Sequence, residues 1–186
     1  MKRSQRILAL GIALVFVLLA TQAFAADFKP KAEYTMQVNV GPLYDWGAGA
    51  QRWADLIKEK TDGKVNVKPY FGSSLLAGKQ TNWYQAVADG AIDFAVESTI
   101  NASGVVPALN LFNLPFFMPS YEAVDKIENG KAGKMVIEQL EKGGLKFLAW
   151  GENGYRQITN SKKEIKHPDD MKGLKFRAVG SPIFID

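Results

Sequence analysis

Stretches that alternate every second residue take turns, along this chain, with stretches whose apolar residues recur every three or four. Tyr34–Asn39 alternates and predicts a strand. Asp45–Lys60 places Trp46, Ala50, Trp53 and Ile57 at helical spacing, with Asp45 able to cap the start and Gly63 past the end. Val65–Tyr70 predicts a second strand, Lys79–Ala88 a helix stopped by Gly90, and Ile92–Val96 a short apolar strand of the kind buried in parallel sheets. Asn110–Met118 is apolar but broken by Pro115, which predicts irregular chain or a short strand. Tyr121–Asn129 and Lys134–Lys142 predict helices, and Leu145–Trp150 another strand after Gly143-Gly144. Such an order leaves few topologies open and predicts an α/β layer fold with a largely parallel sheet.

The texture changes after Trp150. Gly151-Glu152-Asn153-Gly154 is a break. Beyond it come strand-like Tyr155–Thr159, a polar loop over Asn160–Lys166, a turn at His167-Pro168-Asp169-Asp170 and strand-like Leu174–Val179. Two strands and a loop bury too little to stand alone, so residues 154–186 predict either the opening of a second domain or an edge extension of the first sheet.

The ends and the composition narrow the class. Lys2, Arg3 and Arg6 precede a 14-residue apolar run, Ile7–Ala20, and Ala23-Phe24-Ala25 has the small-x-small form of a cleavage site. Residues 1–25 therefore predict a secretory signal peptide, with Ala26 as the first mature residue. The alternative, a membrane anchor, needs about 20 apolar residues, and Thr21-Gln22 ends the run early. Of 23 basic and 19 acidic residues, three bases sit in that leader, so the remainder is 20 against 19 and carries no footprint for nucleic acid. Lys162, Lys163 and Lys166 are read as a solvated loop. With no cysteine, disulfides, thiolate metal sites and a thiol nucleophile are excluded. The single histidine, His167, precedes Pro168 in a polar turn and is read as a surface residue. Asp169-Asp170 is read as the cap of a short turn rather than a metal pair. Gly47-Ala48-Gly49 lacks the dinucleotide-binding pattern. No catalytic, metal or cofactor constellation converges.

Several stretches, in this order and spacing, resemble the solute-binding proteins of TRAP (tripartite ATP-independent periplasmic) transporters, the DctP-like family. After the leader they are Gly72-Ser73-Ser74-Leu75-Leu76-Ala77-Gly78, Ala86-Val87-Ala88-Asp89-Gly90-Ala91-Ile92-Asp93-Phe94 and Leu114-Pro115-Phe116. The most diagnostic are Gly154-Tyr155-Arg156-Gln157-Ile158-Thr159-Asn160 and Asp169-Asp170-Met171-Lys172-Gly173-Leu174-Lys175-Phe176-Arg177. The resemblance covers essentially the whole chain after the leader. It implies a periplasmic-binding-protein-like two-lobe α/β fold, with a nearly complete first lobe over residues 26–153. Residues 154–186 would be hinge strands and the start of a truncated second lobe, because family members are nearly twice this long.

The same resemblance implies a monomeric periplasmic receptor, without a cofactor, that carries a small organic anion to TRAP membrane permease subunits. Arg177 would be the signature arginine that pairs with the ligand carboxylate, as a planar guanidinium fork does best. Arg156 would be a second ligand residue or a structural hinge residue. Asn39 and Glu97 end the first and third strands, where ligands of open α/β sheets sit. Gln80 lies near a helix N-terminus, which favours anions. Tyr44, Trp46 and Trp83 are candidate pocket walls, with Trp46 equally placed for the core by its spacing to Trp53. Competing classes are a receptor that presents its ligand to a sensor kinase and a secreted α/β enzyme.

Overall fold

The computed structural model describes residues 29–185, so the expected leader, 1–25, lies outside the described residues. The elements below all belong to the unit that begins at Glu33. Three parallel strands, β1 (Tyr34–Val38), β2 (Val67–Tyr70) and β3 (Phe94–Val96), lie side by side in the order β2-β1-β3. Tyr34 pairs with Val67 on one side of β1, and Met36 with Phe94 on the other.

The alternation in β1 sends its residues to two unlike faces. Met36 and Val38 are fully buried against Ala50 and Ala54 of α1 (Asp45–Lys60), with Trp53, Phe94 and Val96 around them. Burying each of these β1 side chains contributes about 1.5–3 kcal/mol. Gly47 lets α1 begin close under the preceding loop, since a Cβ there would collide with the Gly41 carbonyl. Asp45 does not cap this helix. Tyr44 holds the cap position without a side-chain bond, and Asp45 sits in the first turn, where its charge suits the helix dipole.

The opposite face carries a second core. Trp83 and Tyr84 of α2 (Trp83–Ala88), Ala102 of the one-turn α3 (Thr99–Ala102) and Leu109 of a 3₁₀ segment, Pro107–Asn113, pack together there. They are joined by Val136 of α5 (Lys131–Glu141). Ala95 of β3 packs against this group. Before α5 runs α4 (Tyr121–Glu128), capped by the Ser120 hydroxyl, which accepts from the Ala123 N–H. The turn between them is tight: a Cβ at Gly130 would lie 2.6 Å from the Lys126 carbonyl, and one at Gly133 would strike that of Glu128.

Several expectations are corrected. The Lys79–Ala88 helix is a 3₁₀ turn, Gln80–Asn82, followed by α2, and the first four residues of Asn110–Met118 belong to the 3₁₀ segment that Pro107 opens, while 114–118 are irregular chain as expected. α5 begins at Lys131, three residues earlier than expected, because Gly130 rather than a polar residue ends the preceding turn. Leu145–Trp150, Tyr155–Thr159 and Leu174–Val179 are not strands. An extended run becomes a strand only where a neighbour offers its ladder of N–H and C=O groups, and no described residue pairs with these three. Leu145 and Trp150 instead lay their side chains on the second core.

Past the break at 151–154, the chain meets this body at Tyr155, whose ring lies against that of Tyr121, and again at 179–181. Val179 and Ser181 are buried, and the Ser181 hydroxyl lies 2.8 Å from that of Ser103, just after α3. His167, exposed, caps the 3₁₀ turn Pro168–Met171 by accepting from the Asp169 N–H, and Asp170 accepts from the His167 N–H in return. The cap expected at Asp169-Asp170 is thus His167, with Asp170 as its reciprocal partner. Among the described residues no helix is long and apolar enough to cross a membrane.

Candidate ligand crevice

The order β2-β1-β3 places a topological switch between β1 and β3. The segments that follow them pack on opposite faces of the sheet, and such a switch point is where open α/β sheets hold their ligands, at the carboxyl edge. Asn39 and Glu97 are the residues that leave these two strands, and the Asn39 N–H donates to the Val96 carbonyl at 3.2 Å. Every second residue of β1 and its continuation, Thr35, Gln37 and Asn39, is polar, and each is engaged. The Thr35 hydroxyl donates to Asp93 at 3.1 Å, the Gln37 amide to Glu97 at 3.3 Å, and Asn39 accepts from the Ser73 hydroxyl at 3.0 Å.

Ser73 achieves this by standing in the left-handed region, φ 56°, fully buried, with its N–H given to the Val38 carbonyl. The loop Gly72–Gly78 is thereby clamped over the end of β1. Because Ser73 donates to the Asn39 side-chain oxygen, the Asn39 NH₂ group is left without a partner among the described residues, a fixed donor at the crevice.

Glu97 is the electrostatic feature of the edge. Burial pushes its carboxyl up to about 7, against weaker opposing pulls from Gln37, Asn101 and the Ser98 N–H. Its Oε2 and the Gln37 Oε1 are both enclosed without a hydrogen-bond partner. Sequence reasoning named Glu97 but missed Gln37, Ser73 and Asn101. The signal for Gln37 was present: an amide in the middle of a buried strand, on the same face as Thr35 and Asn39.

The other predicted residues lie apart from this edge. Gln80 is half-buried, and its N–H is taken by the Gly78 carbonyl at 2.9 Å. It also opens a 3₁₀ turn rather than a helix, so the expected helix-terminus anion site is not formed. Trp83 belongs to the second core, not to a pocket wall. Tyr44 and Trp46 line an open hollow of about 630 Å³ with Asp45, Tyr121 and residues 151–154. Arg156, exposed, places its guanidinium over the Phe184 ring at 5.1 Å, an arrangement that suits a structural role. Tyr155 beside it stacks on Tyr121, ring centres 5.0 Å apart. Arg177 is exposed and has no partner among the described residues. Neither arginine contacts Asn39, Glu97 or Gln80. Among the described residues no cluster of three or more His, Asp or Glu is placed to hold a metal ion.

A parallel sheet with fixed polar groups at its switch point is the scaffold of a small-molecule receptor lobe, and comparison with known proteins gives it a family. Residues 36–186 match the DctP family, bacterial extracellular solute-binding protein family 7, and the chain belongs to that family. A TRAP periplasmic solute-binding protein from Ralstonia eutropha, solved with (S)-2-acetolactate, superposes with a TM-score of 0.79 and 53% identity, over 82% of this chain and 48% of that one. Another from Sulfurospirillum deleyianum, solved with succinate, has a TM-score of 0.76 and 27% identity, over 83% and 48%. The 2,3-diketo-L-gulonate-binding periplasmic protein YiaO of Escherichia coli is 37% identical over 136 residues, 73% of this chain and 41% of that protein. The chain thus spans about half the length of the relatives it matches, or somewhat less.

Proposed function

We propose that this chain is the ligand-capturing part of a periplasmic receptor that binds a small organic acid and delivers it to the membrane subunits of a TRAP-type transporter. Residues 26–153 are the first lobe, and 154–186 lead toward a second. The relatives' ligands are carboxylates in each case named above. The high identity to the acetolactate-binding protein directs the reading first to short hydroxy- or keto-monocarboxylates, and then to dicarboxylates. Capture and handover need no covalent chemistry, so the reading is of a binding protein and not an enzyme.

The observation that carries it is Arg177. A guanidinium exposed and unpartnered, in a chain of this family, is a ready fork for a carboxylate. The Asn39 NH₂ is a second fixed donor, at the strand edge. Arg156, occupied by Phe184, is the accessory.

The test is titration calorimetry with acetolactate, succinate and galactonate on this chain joined to the C-terminal half of the Ralstonia eutropha relative. Micromolar binding is expected. Arg177→Lys keeps the charge but loses the parallel hydrogen bonds, and should weaken binding by about 30-fold to several thousand-fold, the equivalent of about 2–5 kcal/mol. Arg156→Lys should cost less. If Arg156→Lys abolishes binding while Arg177→Lys stays within about threefold of the parent, the anchor is Arg156. If neither changes it, the crevice assignment fails.

A further inference from the structure

An anion-binding edge that ends one of its strands in a carboxylate should repel its own ligand, and Glu97 is that carboxylate. Its surroundings supply no compensating cation. Gln37 faces it from β1, Asn101 from α3, and the Ser98 N–H from its own chain. Of the helices on this face of the sheet, α2 and α3 carry no ionisable side chain except Tyr84, whose hydroxyl is given to the Leu140 carbonyl, and Lys131, Lys134, Glu138 and Glu141 of α5 are not among the groups that act on Glu97. Asp93, before β3, is engaged by Thr35, and α1 covers the other face.

The hydrogen bonding is also incomplete in a particular way. Gln37, fully buried, donates through Nε2 to Glu97 Oε1, yet its own Oε1 and Glu97 Oε2 are enclosed without a well-formed hydrogen bond, Asn101 and the Ser98 N–H acting on the carboxyl only weakly. Buried polar groups are nearly always paired. A single proton on Glu97 Oε2 converts one of these two orphans into a donor and gives the other its partner.

We propose that Glu97 is held as the neutral acid, donating Oε2–H to Gln37 Oε1 while Gln37 Nε2 donates to Glu97 Oε1. The two side chains then close as an acid–amide ring, and the crevice meets an organic anion without an opposing charge. The upward pull of burial on this carboxyl accords with that arrangement. Gln37 is then the positioning residue of the crevice. Resting as it does on the organic-acid reading above, the proposal adds a proton to the binding event. An anion brought to the edge favours the acid form of Glu97, so capture takes up the fraction of a proton that Glu97 lacks, a fraction that grows toward one above about pH 7, and affinity falls as the pH rises past that value.

The first experiment needs only this chain: carbon-13 NMR of the glutamate carboxyls, assigned through bonds, across the pH range. Glu97 should titrate near 7, apart from the other glutamates. A Glu97 midpoint among ordinary carboxylates overturns the proposal whatever the binding data. Infrared difference spectra of the same labelled chain should show a neutral-acid carbonyl band at low pH. In Gln37→Met that band should move to higher frequency as its hydrogen bonds are lost, and a band that does not move overturns the ring. Calorimetry on the joined receptor should then show proton uptake in the parent and none in Glu97→Gln, whose affinity should not depend on pH. Equal proton uptake in both sinks the linkage. If Glu97 titrates near 7 and the receptor binds no organic acid, the proton pair stands and the receptor reading fails.

Discussion

Ser181 holds the segment that follows Arg177 onto the body of the fold, and its removal can be priced from the structure. The residue is fully buried, and its hydroxyl lies 2.8 Å from Ser103 Oγ and 3.4 Å from Asn110 Oδ1. Ser103 spends its own proton on the Ile100 carbonyl at 2.8 Å, so the shared bond must run from Ser181 to Ser103. Ser181→Ala deletes that donor and leaves the Ser103 oxygen and the Asn110 carbonyl facing a methyl group. One net hydrogen bond is worth about 0.5–1.5 kcal/mol, and a buried acceptor left unpaired adds to it, so a loss of about 1–2 kcal/mol is expected. For a chain of this size that is a fall in Tm of about 2–8 °C. Neighbours leave no room for repacking: Val179 is buried, and a Cβ at Gly180 would stand 3.3 Å from the Thr81 methyl. Thermal unfolding followed by circular dichroism measures the loss. Amide hydrogen exchange should show residues 179–184 opening faster while the amides of β1 keep their protection. A Tm unchanged to within about 1 °C, with unaltered exchange at 179–184, would refute the view that this hydroxyl is what docks the segment.

Four further outcomes can be checked on the same chain. Tyr84→Phe strips the donor from the Leu140 carbonyl at the end of α5 and should cost about 1 kcal/mol in urea unfolding. Gly143→Ala, whose new Cβ would strike the Tyr84 hydroxyl, should cost more, about 1–3 kcal/mol; a neutral result for both would mean that this corner is not packed as described. Folding raises the Glu97 carboxyl from 4.5 to about 7, so its contribution is complete below about pH 4.5 and is lost as the pH climbs to 7. At 1.36 kcal/mol per unit the parent should lose about 3 kcal/mol over that interval relative to Glu97→Gln, and parallel pH profiles would contradict it. Asp170 is held below its usual range by the Lys166 and His167 N–H groups, so its support for the 166–171 turn is present above that range and is lost as the pH falls below it, through the lowered value. Asp170→Asn should speed exchange of the Lys166 and His167 amides at neutral pH and leave Tm nearly unmoved.

The sheet and α1 were legible because their signals are local and long enough to count. Sixteen residues of helical spacing from Asp45 to Lys60 coincide with the helix residue for residue. The period-two pattern of 34–39 predicts both the strand and its two faces, apolar Met36 and Val38 against polar Thr35, Gln37 and Asn39. Short elements were less legible. Lys79–Ala88 has apolar residues at the right interval, but the left-handed Ala77 and Gly78 before it force a 3₁₀ entry that no side-chain pattern encodes. Leu145–Trp150 and Leu174–Val179 have strand composition, and composition cannot say whether an edge will be there to receive them.

The crevice divides along the same line. Asn39 and Glu97 follow from the rule that ligands gather at the carboxyl edge of parallel strands, which requires knowing only where strands end. Arg156 and Arg177 do not follow from any local pattern, since an arginine on an exposed segment is the commonest arginine there is. Only the order of motifs along the whole chain singles them out. Gln37 lies between these cases. Its position in a buried strand is visible in the sequence, but its meaning depends on Glu97, sixty residues on, being brought to the end of the next strand, two residues past the Gln37–Ala95 pair. A buried amide alone is a packing detail. Set against a carboxyl that burial pushes toward its acid form, the same amide becomes the partner that the proposed neutral Glu97 requires.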